Sequence, residues 1–397
     1  MRIVHLADLH LGFRQYQRLT PSGINQREAD VAGTVQRAVA QVIALAPELV
    51  VVGGDIFHSV RPSNPAILHA FRAFSAIREA LSETPIVMVA GNHDAPRTSE
   101  TGCILRLFRE IGVYVADAKP ELFTFASRSL AVLAVPDVPG LDRPPLTPPA
   151  GFDHTVLLMH GEVAGMLPAV ASVERAAIEI PVTALHADEW SYVALGHYHV
   201  YHQVAPRAYY CGSIDYTSSN PWGELLEERE KGVPGKGFIE HDLTTGAHRF
   251  HPVRPSRPLV DLQPVDASGM GAAEVDAALR ARVDSAPGGI DDRVVRASIR
   301  NVPRHIVREL DHTALREYRK RAMNFHLDTR RPEPLVQRRT GEGAPGRRAT
   351  LPELLAARLR ERTLPAGMER EHLLTLGQRY LQLAEDAATA ALPVVDN

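Results

Sequence analysis

The most chemically loaded stretch of the chain is Gly91-Asn92-His93-Asp94, three polar side chains set directly after the apolar run Val87-Met88-Val89-Ala90. A β-branched run that ends in glycine and then offers an amide, an imidazole and a carboxylate presents chemistry at a sheet edge. The pattern recurs. Ile3-Val4-His5-Leu6-Ala7 delivers Asp8 and His10, and Leu49-Val50-Val51-Val52 delivers Gly53-Gly54-Asp55-Ile56-Phe57-His58. Thr155–Met159 delivers His160-Gly161, and Tyr192–Leu195 delivers Gly196-His197-Tyr198-His199. Singly, each also reads as a surface turn or a structural histidine. Together, Asp8/His10, Asp55, Asn92, His160 and His197/His199 point to convergence. Oxygen and imidazole donors without thiolate suit Mn²⁺, Fe or Zn²⁺ in a two-metal hydrolytic site rather than a structural zinc. Asp8 and His10, two apart, are expected to face one side of an extended segment. Asp55, with two oxygens, can bridge two ions. Ions about 3.5–4 Å apart would lower the pKa of a bridging water and neutralise both attacking and leaving oxygens of a phosphoryl centre.

These strand ends need a scaffold, and the periodicities supply one. Residues 12–27 read as a loop. From Glu28, the spacing of Val31, Val35, Val39, Val42 and Ile43 predicts a helix to about Ala46, stopped by Pro47. Pro65–Leu81 is a second amphipathic helix and Thr101–Ile111 a third, with Cys103 buried in it. The order β-α-β-α-β-α is that of a layered α/β domain with a partly parallel sheet. Beyond residue 113 come the adjacent strands Leu122–Ala126 and Ser129–Val135, then short strands interrupted by an acidic loop, Trp222–Gly237.

The fold class expected is α/β: a sandwich of mixed sheets flanked by helices over 1–255, then a small α+β module and a C-terminal helical pair. The module spans 256–328 and includes a helix over His305–Lys320. An arginine-rich linker, 329–349, carries six arginines against Glu333 and Glu342. The pair, 350–397, has apolar stripes through Leu354, Leu355 and Leu359 and through Leu373, Leu374, Leu376, Tyr380, Leu381 and Leu383. Helices without a core of their own fold back or dock on another protein.

Net charge is −3 over 397 residues, so no global basic field points to nucleic acid, and such binding would need local patches. Two cysteines argue for a reducing compartment and against a disulfide framework. No apolar run is long enough to span a bilayer. Asp8 and His10 come too early for a signal peptide, so a cytoplasmic location is expected.

Asp-X-His, Gly-Gly-Asp-X-X-His, Gly-Asn-His-Asp, His and Gly-His-X-His, in this order, resemble the calcineurin-like metallophosphoesterase superfamily over about residues 1–255. The form Gly-Asp-Ile-Phe-His resembles its DNA double-strand-break repair nucleases, the branch of bacterial SbcD-type subunits and their archaeal and eukaryotic counterparts. The resemblance implies one ion held by Asp8, His10, Asp55 and His199 and another by Asp55, Asn92, His160 and His197, commonly Mn²⁺. It implies that His93 acts on the phosphate or leaving oxygen, that Asp94 holds the His93 ring, and that His58 helps position the scissile phosphate. It further implies a DNA-capping role for the α+β module and docking of the tail on an SMC-like ABC ATPase (SbcC-type). A homodimer through helices 65–81 and 99–111 belongs to the same set. Two features depart from the family pattern: Cys211 before Gly212-Ser213, where proline or serine is expected, and the glutamates of the 222–237 loop. The alternatives are a stand-alone phosphoesterase on small phosphodiesters or phosphoproteins, and a scaffold with a vestigial site.

Overall fold

The computed structural model describes residues 1–96, 102–141, 144–166, 176–332, 351–361 and 369–390. The chain divides into two units, residues 1–332 and 333–397. In the first, β1 (Arg2–Leu6), α1 (Gln26–Leu45), β2 (Leu49–Val52), α2 (Asn64–Ala80), β3 (Ile86–Val89) and β4 (Tyr114–Ala116) lead. Next come β5 (Glu121–Phe125), β6 (Leu130–Val135), β7 (His154–His160), the short pair β8 (Glu162–Val163) and β9 (Glu179–Ile180), and β10 (Tyr192–Gly196). β11 (His202–Ala205), β12 (Ala208–Tyr210), α3 (Pro221–Lys231), β13 (Gly237–Asp242) and β14 (His248–Pro252) complete the sandwich.

Two six-stranded sheets face each other, ordered β14-β13-β1-β2-β3-β4 and β11-β12-β10-β7-β6-β5. Strand alternation explains the layers. Leu49, Val51, Val87 and Val89 point inward against Val132, Ala134, Val156, Leu158 and Ala194 of the other sheet. Val50, Val52 and Met88 point outward, against Val31, Val35 and Val42 of α1 and Phe74 and Ile77 of α2. β1, β2, β3 and β4 are mutually parallel, as are β6, β7 and β10, so their carboxyl ends open on one edge. Cys211 is fully buried in the inter-sheet core, which accounts for an apolar thiol at that position.

A separate core is built by β15 (Leu259–Asp261), β16 (Val265–Asp266), α4 (Ala272–Asp284), β17 (Val294–Arg300), α5 (Arg304–Glu309), α6 (His312–Arg321) and β18 (Asn324–Thr329). In the second unit, α7 (Leu351–Glu361) and α8 (Arg370–Ala390) are helical. On α8, Leu376, Tyr380 and Leu383 are exposed. Among the described residues, no helix is long and apolar enough to cross a membrane. The linker from residue 333 onward, and the side chain of Leu354, lie outside the described residues.

Three expectations are corrected. The stretch expected as a helix over 101–111 is a 3₁₀ helix from Ile104 to Ile111, while residues 97–101 lie outside the described residues. The expected acidic loop is α3: Asn220 caps it by accepting from the Gly223 amide, Pro221 opens it, and Gly232 ends it. The helix expected over His305–Lys320 is broken into α5 and α6, because Asp311 caps a new start through the Thr313 and Ala314 amides.

His5 of β1 is fully buried, with its Nδ1 3.1 Å from the Tyr192 hydroxyl. Burial, with His248 adding to it, lowers its pKa to about 3. The unfolded chain takes up that proton near pH 6.5, so this site's contribution is intact above 6.5 and is lost as pH falls from there toward 3. Over that window His5 is expected to cost about 1.4 kcal/mol per pH unit. Urea unfolding from pH 7.5 to 5 should show a shallower slope in His5→Asn than in the parent chain.

Candidate metal centre

The loops that follow β1 and β2 are zipped together by backbone bonds. Asp8 N donates to Gly54 O at 3.0 Å, His10 N to Asp55 O at 2.9 Å, and Leu11 N to Ile56 O at 2.9 Å. The residues are not extended, as alternation had suggested. Asp8 (φ 52°), His10 (φ 44°) and Asp55 (φ 50°) are left-handed, and His197 has φ 109°. Such backbone costs about 1–3 kcal/mol per residue and persists only where surroundings impose it. Asp8 and His10 still converge on one site, through turns rather than through strand alternation.

Glycines permit the close approach. A Cβ at Gly196 would overlap the Gly53 carbonyl, where the end of β10 meets the end of β2. A Cβ at Gly91 would overlap the Asp55 carboxylate. Gly91→Ala must therefore displace Asp55, and is expected to cost about 1–3 kcal/mol as an overpacked site. The urea midpoint should fall, and calorimetric titration should show weaker binding of divalent cations.

The donors form two groups that meet at Asp55, with the Asp8 carboxylate also within reach of both. On one side, His10 Nε2 lies 3.0 Å from His199 Nε2 and 3.7 Å from Asp55 Oδ2. The Asp8 carboxylate joins them, steadied by the His197 amide at 3.1 Å to each oxygen. On the other, His160 Nε2 lies 3.6 Å from the same Asp55 Oδ2 and 3.1 Å from Asn92 Oδ1, which is 3.3 Å from His197 Nδ1. His160 Nδ1 is 2.7 Å from the Gly53 carbonyl; as donor there, it leaves Nε2 as the basic nitrogen.

His10 is held in the form that binds a cation, and the carboxylates around His160 supply negative charge that a cation would balance. Burial first, then the neighbouring His199, His93 and His58 rings, drives the His10 pKa well below its ordinary value, keeping the ring in the neutral form that binds metals. Burial raises Asp8 to about 6 against the opposing pull of His199 and His160. Burial lowers His160, but Asp55, Asp8 and Asp137 together raise it to about 9, so a bound cation would displace a proton there. Carboxylate, amide and imidazole donors crowded this closely, some buried and Asn92, His197 and His199 half-buried, fit divalent cations, which would balance the carboxylates.

His93, His58 and His10 form a further imidazole group beside these donors. His93 N donates to Asp55 Oδ1 at 3.0 Å, and His93 Nδ1 is 2.8 Å from the His58 carbonyl. The expectation that Asp94 holds the His93 ring is corrected. Asp94 is fully buried and accepts from the amides of Ile56 (3.1 Å), Phe57 (2.9 Å) and Gly91 (3.1 Å). It fastens the loop that carries Asp55, and its pKa is raised to about 7 by burial and by Asp55, against those three amides.

Sequence reasoning missed Glu224 and Lys236. Glu224, on α3, places Oε1 3.3 Å from His199 Nδ1 and pairs through Oε2 with Lys236. Burial opposes its charge, but Lys236 and His199 hold the carboxyl down at about 2. The same first turn of α3 reaches the smaller sheet, where Arg296 lies over the Trp222 ring at 5.0 Å. The cleft over the site has a volume of about 670 Å³ and is walled by Phe13, Arg14, Met166, Tyr198 and Ser219 as well as by His58 and His93.

A two-sheet sandwich with histidines and aspartates converging at its strand ends defines a phosphoesterase scaffold. Residues 1–227 match the calcineurin-like phosphoesterase family, and the chain belongs to it. Curated relatives include the DNA double-strand break repair protein Mre11 of Methanococcus maripaludis, 26% identical over 259 residues, which are 62% of this chain and 63% of that one. Mre11 of Methanocaldococcus jannaschii is 25% identical over 260 residues, again 62% and 63% of the two chains. Mre11 of Haloferax volcanii is 28% identical over 169 residues, 40% of this chain and 34% of its own. The chain thus spans less than two thirds of the length of the relatives it matches.

Proposed function

We propose that this chain is a two-metal phosphodiesterase that hydrolyses DNA with Mn²⁺ and works beside an SMC-like ABC ATPase in the cytoplasm. The observation that carries the reading is the single carboxylate oxygen of Asp55 lying 3.7 Å from His10 Nε2 and 3.6 Å from His160 Nε2, one imidazole in each donor group. The names of the Mre11 relatives support DNA as the substrate.

In this reading Asp8, His10, Asp55 and His199 hold one cation, and Asp55, Asn92, His160 and His197 the other. A bound pair supplies Lewis acidity, lowering the pKa of water and neutralising phosphoryl oxygens. His93, with Nδ1 donating to the His58 carbonyl, offers Nε2 to carry the proton given to the leaving oxygen. His58, whose ring stacks on His93 with centroids 5.2 Å apart, orients that ring and the scissile phosphate. Asp94 acts at one remove, through the backbone of residues 56 and 57. Residues 256–328 cap the DNA, 350–397 dock on the ATPase, and the exposed Leu68 on α2 belongs to a homodimer face.

The test is an assay of the purified full-length chain with Mn²⁺ on labelled single- and double-stranded oligonucleotides and on bis(p-nitrophenyl) phosphate. Cleavage of both DNA forms or of either is the expected result. Cleavage of the small diester alone would favour a stand-alone phosphoesterase. No cleavage of any of them would leave only a scaffold role.

A further inference from the structure

The buried charges behind His199 form a chain that the proposed hydrolysis does not use. Tyr216 donates its hydroxyl to Glu228 Oε2 at 2.6 Å, and Glu228 Oε1 is 3.1 Å from Lys236 Nζ. Lys236 Nζ also donates to the His199 carbonyl at 2.7 Å and pairs with Glu224, whose other oxygen meets His199 Nδ1. Lys236 and Glu228 are each 2% exposed. Two carboxylates against one ammonium leave an excess negative charge in a dry place, and breaking such a network leaves uncompensated charge. Lys236 touches both the backbone and, through Glu224, the ring of one residue.

We infer that Glu224, restrained by Lys236, is a positioning residue that fixes the His199 ring so that its Nε2 serves the cation site shared with Asp8, His10 and Asp55. This rests on the two-cation reading above. Glu224 accepts from Nδ1–H, which leaves Nε2 as the ligating nitrogen beside His10 Nε2 at 3.0 Å. His160 is set differently, by the neutral Gly53 carbonyl. The two sites therefore differ in kind: one histidine is backed by a carboxylate, the other by a peptide. Partners of this sort alter metal affinity by about 10–100-fold. The carboxylate-backed site is the tighter of the two, and it is the one that Glu224 controls.

Glu224→Gln keeps the shape but has one acceptor oxygen for two donors, so either Nδ1–H or the Lys236 ammonium must face an amide N–H. Mn²⁺ binding to the metal-free full chain is measured by isothermal titration calorimetry, with spin-coupled Mn²⁺ pairs followed by electron paramagnetic resonance. The parent chain is expected to bind two ions with unequal affinity. Glu224→Gln should lose about 10–100-fold at the tighter site alone and populate the coupled pair only at higher Mn²⁺. Glu230→Gln, an exposed change on the same helix, should leave both affinities as they were. A Glu224→Gln chain with a lowered melting temperature but both affinities unchanged assigns Glu224 to packing and overturns the inference alone. A parent chain that binds fewer than two ions overturns the two-cation reading and this inference with it. If Glu224→Gln does not fold, Glu224→Asp, which retracts the carboxylate while keeping its charge, is put through the same titration. Unchanged affinity at both of its sites overturns the inference.

Discussion

Asp55→Asn is expected to lower turnover by on the order of 10³-fold or more, about 4 kcal/mol of transition-state stabilisation. The reason is positional. Asp55 sets one oxygen against a histidine of each donor group, and its other oxygen accepts the His93 amide at 3.0 Å. An asparagine there offers one oxygen where two are used, and it removes a charge that both cations would share. Calorimetric titration should show both binding events weakened. Loss at only one site would show that Asp55 serves a single ion. By contrast, His93→Ala should impair turnover with both binding events retained, because its ring is anchored to the His58 carbonyl and its backbone amide survives the substitution.

The second large effect is on folding. Asp94→Ala is expected to destabilise the chain by about 3–5 kcal/mol, since it strips three buried amides of their acceptor. Asp94→Asn keeps one acceptor oxygen and should cost about 1–2 kcal/mol. Urea unfolding measures both. The loss should extend to metal affinity, because the loop released is the one that holds Asp55. An Asp94→Ala chain of unchanged stability and weakened turnover would instead assign Asp94 to the chemistry itself.

Asp94 also marks the boundary of what the amino-acid order discloses. The strand ends are legible because each couples two strong local signals: a β-branched run, then a glycine or a polar residue. α1 and α2 are legible by their apolar spacing, and their observed ends, Gln26–Leu45 and Asn64–Ala80, lie within two residues of expectation. Two of the three targets of Asp94 are not legible, because Ile56 and Phe57 lie 38 and 37 residues away and carry no periodicity toward it. α3 fails for another reason. Its glutamates read as a solvated run, whereas Glu224 and Glu228 turn inward to the buried Lys236, and only the folded chain reveals that pairing. Left-handed backbone at Asp8, His10 and Asp55 is equally silent in the sequence, since it is imposed by bonds between two loops 46 residues apart in the chain.

The donors come from both sheets: Asp8, His10, Asp55 and Asn92 follow strands of the first, while His160 ends a strand of the second and His197 and His199 follow another. Neither half of the sandwich can therefore seat a cation pair alone, and ions bound at this seam would act as rivets between the layers. Metal supply then becomes a lever on the lifetime of the protein: free ion at about 100 times its dissociation constant adds roughly 2.7 kcal/mol to the folded state. A cell short of the ion would hold a chain easier to pull apart at the sheet interface and quicker to be degraded.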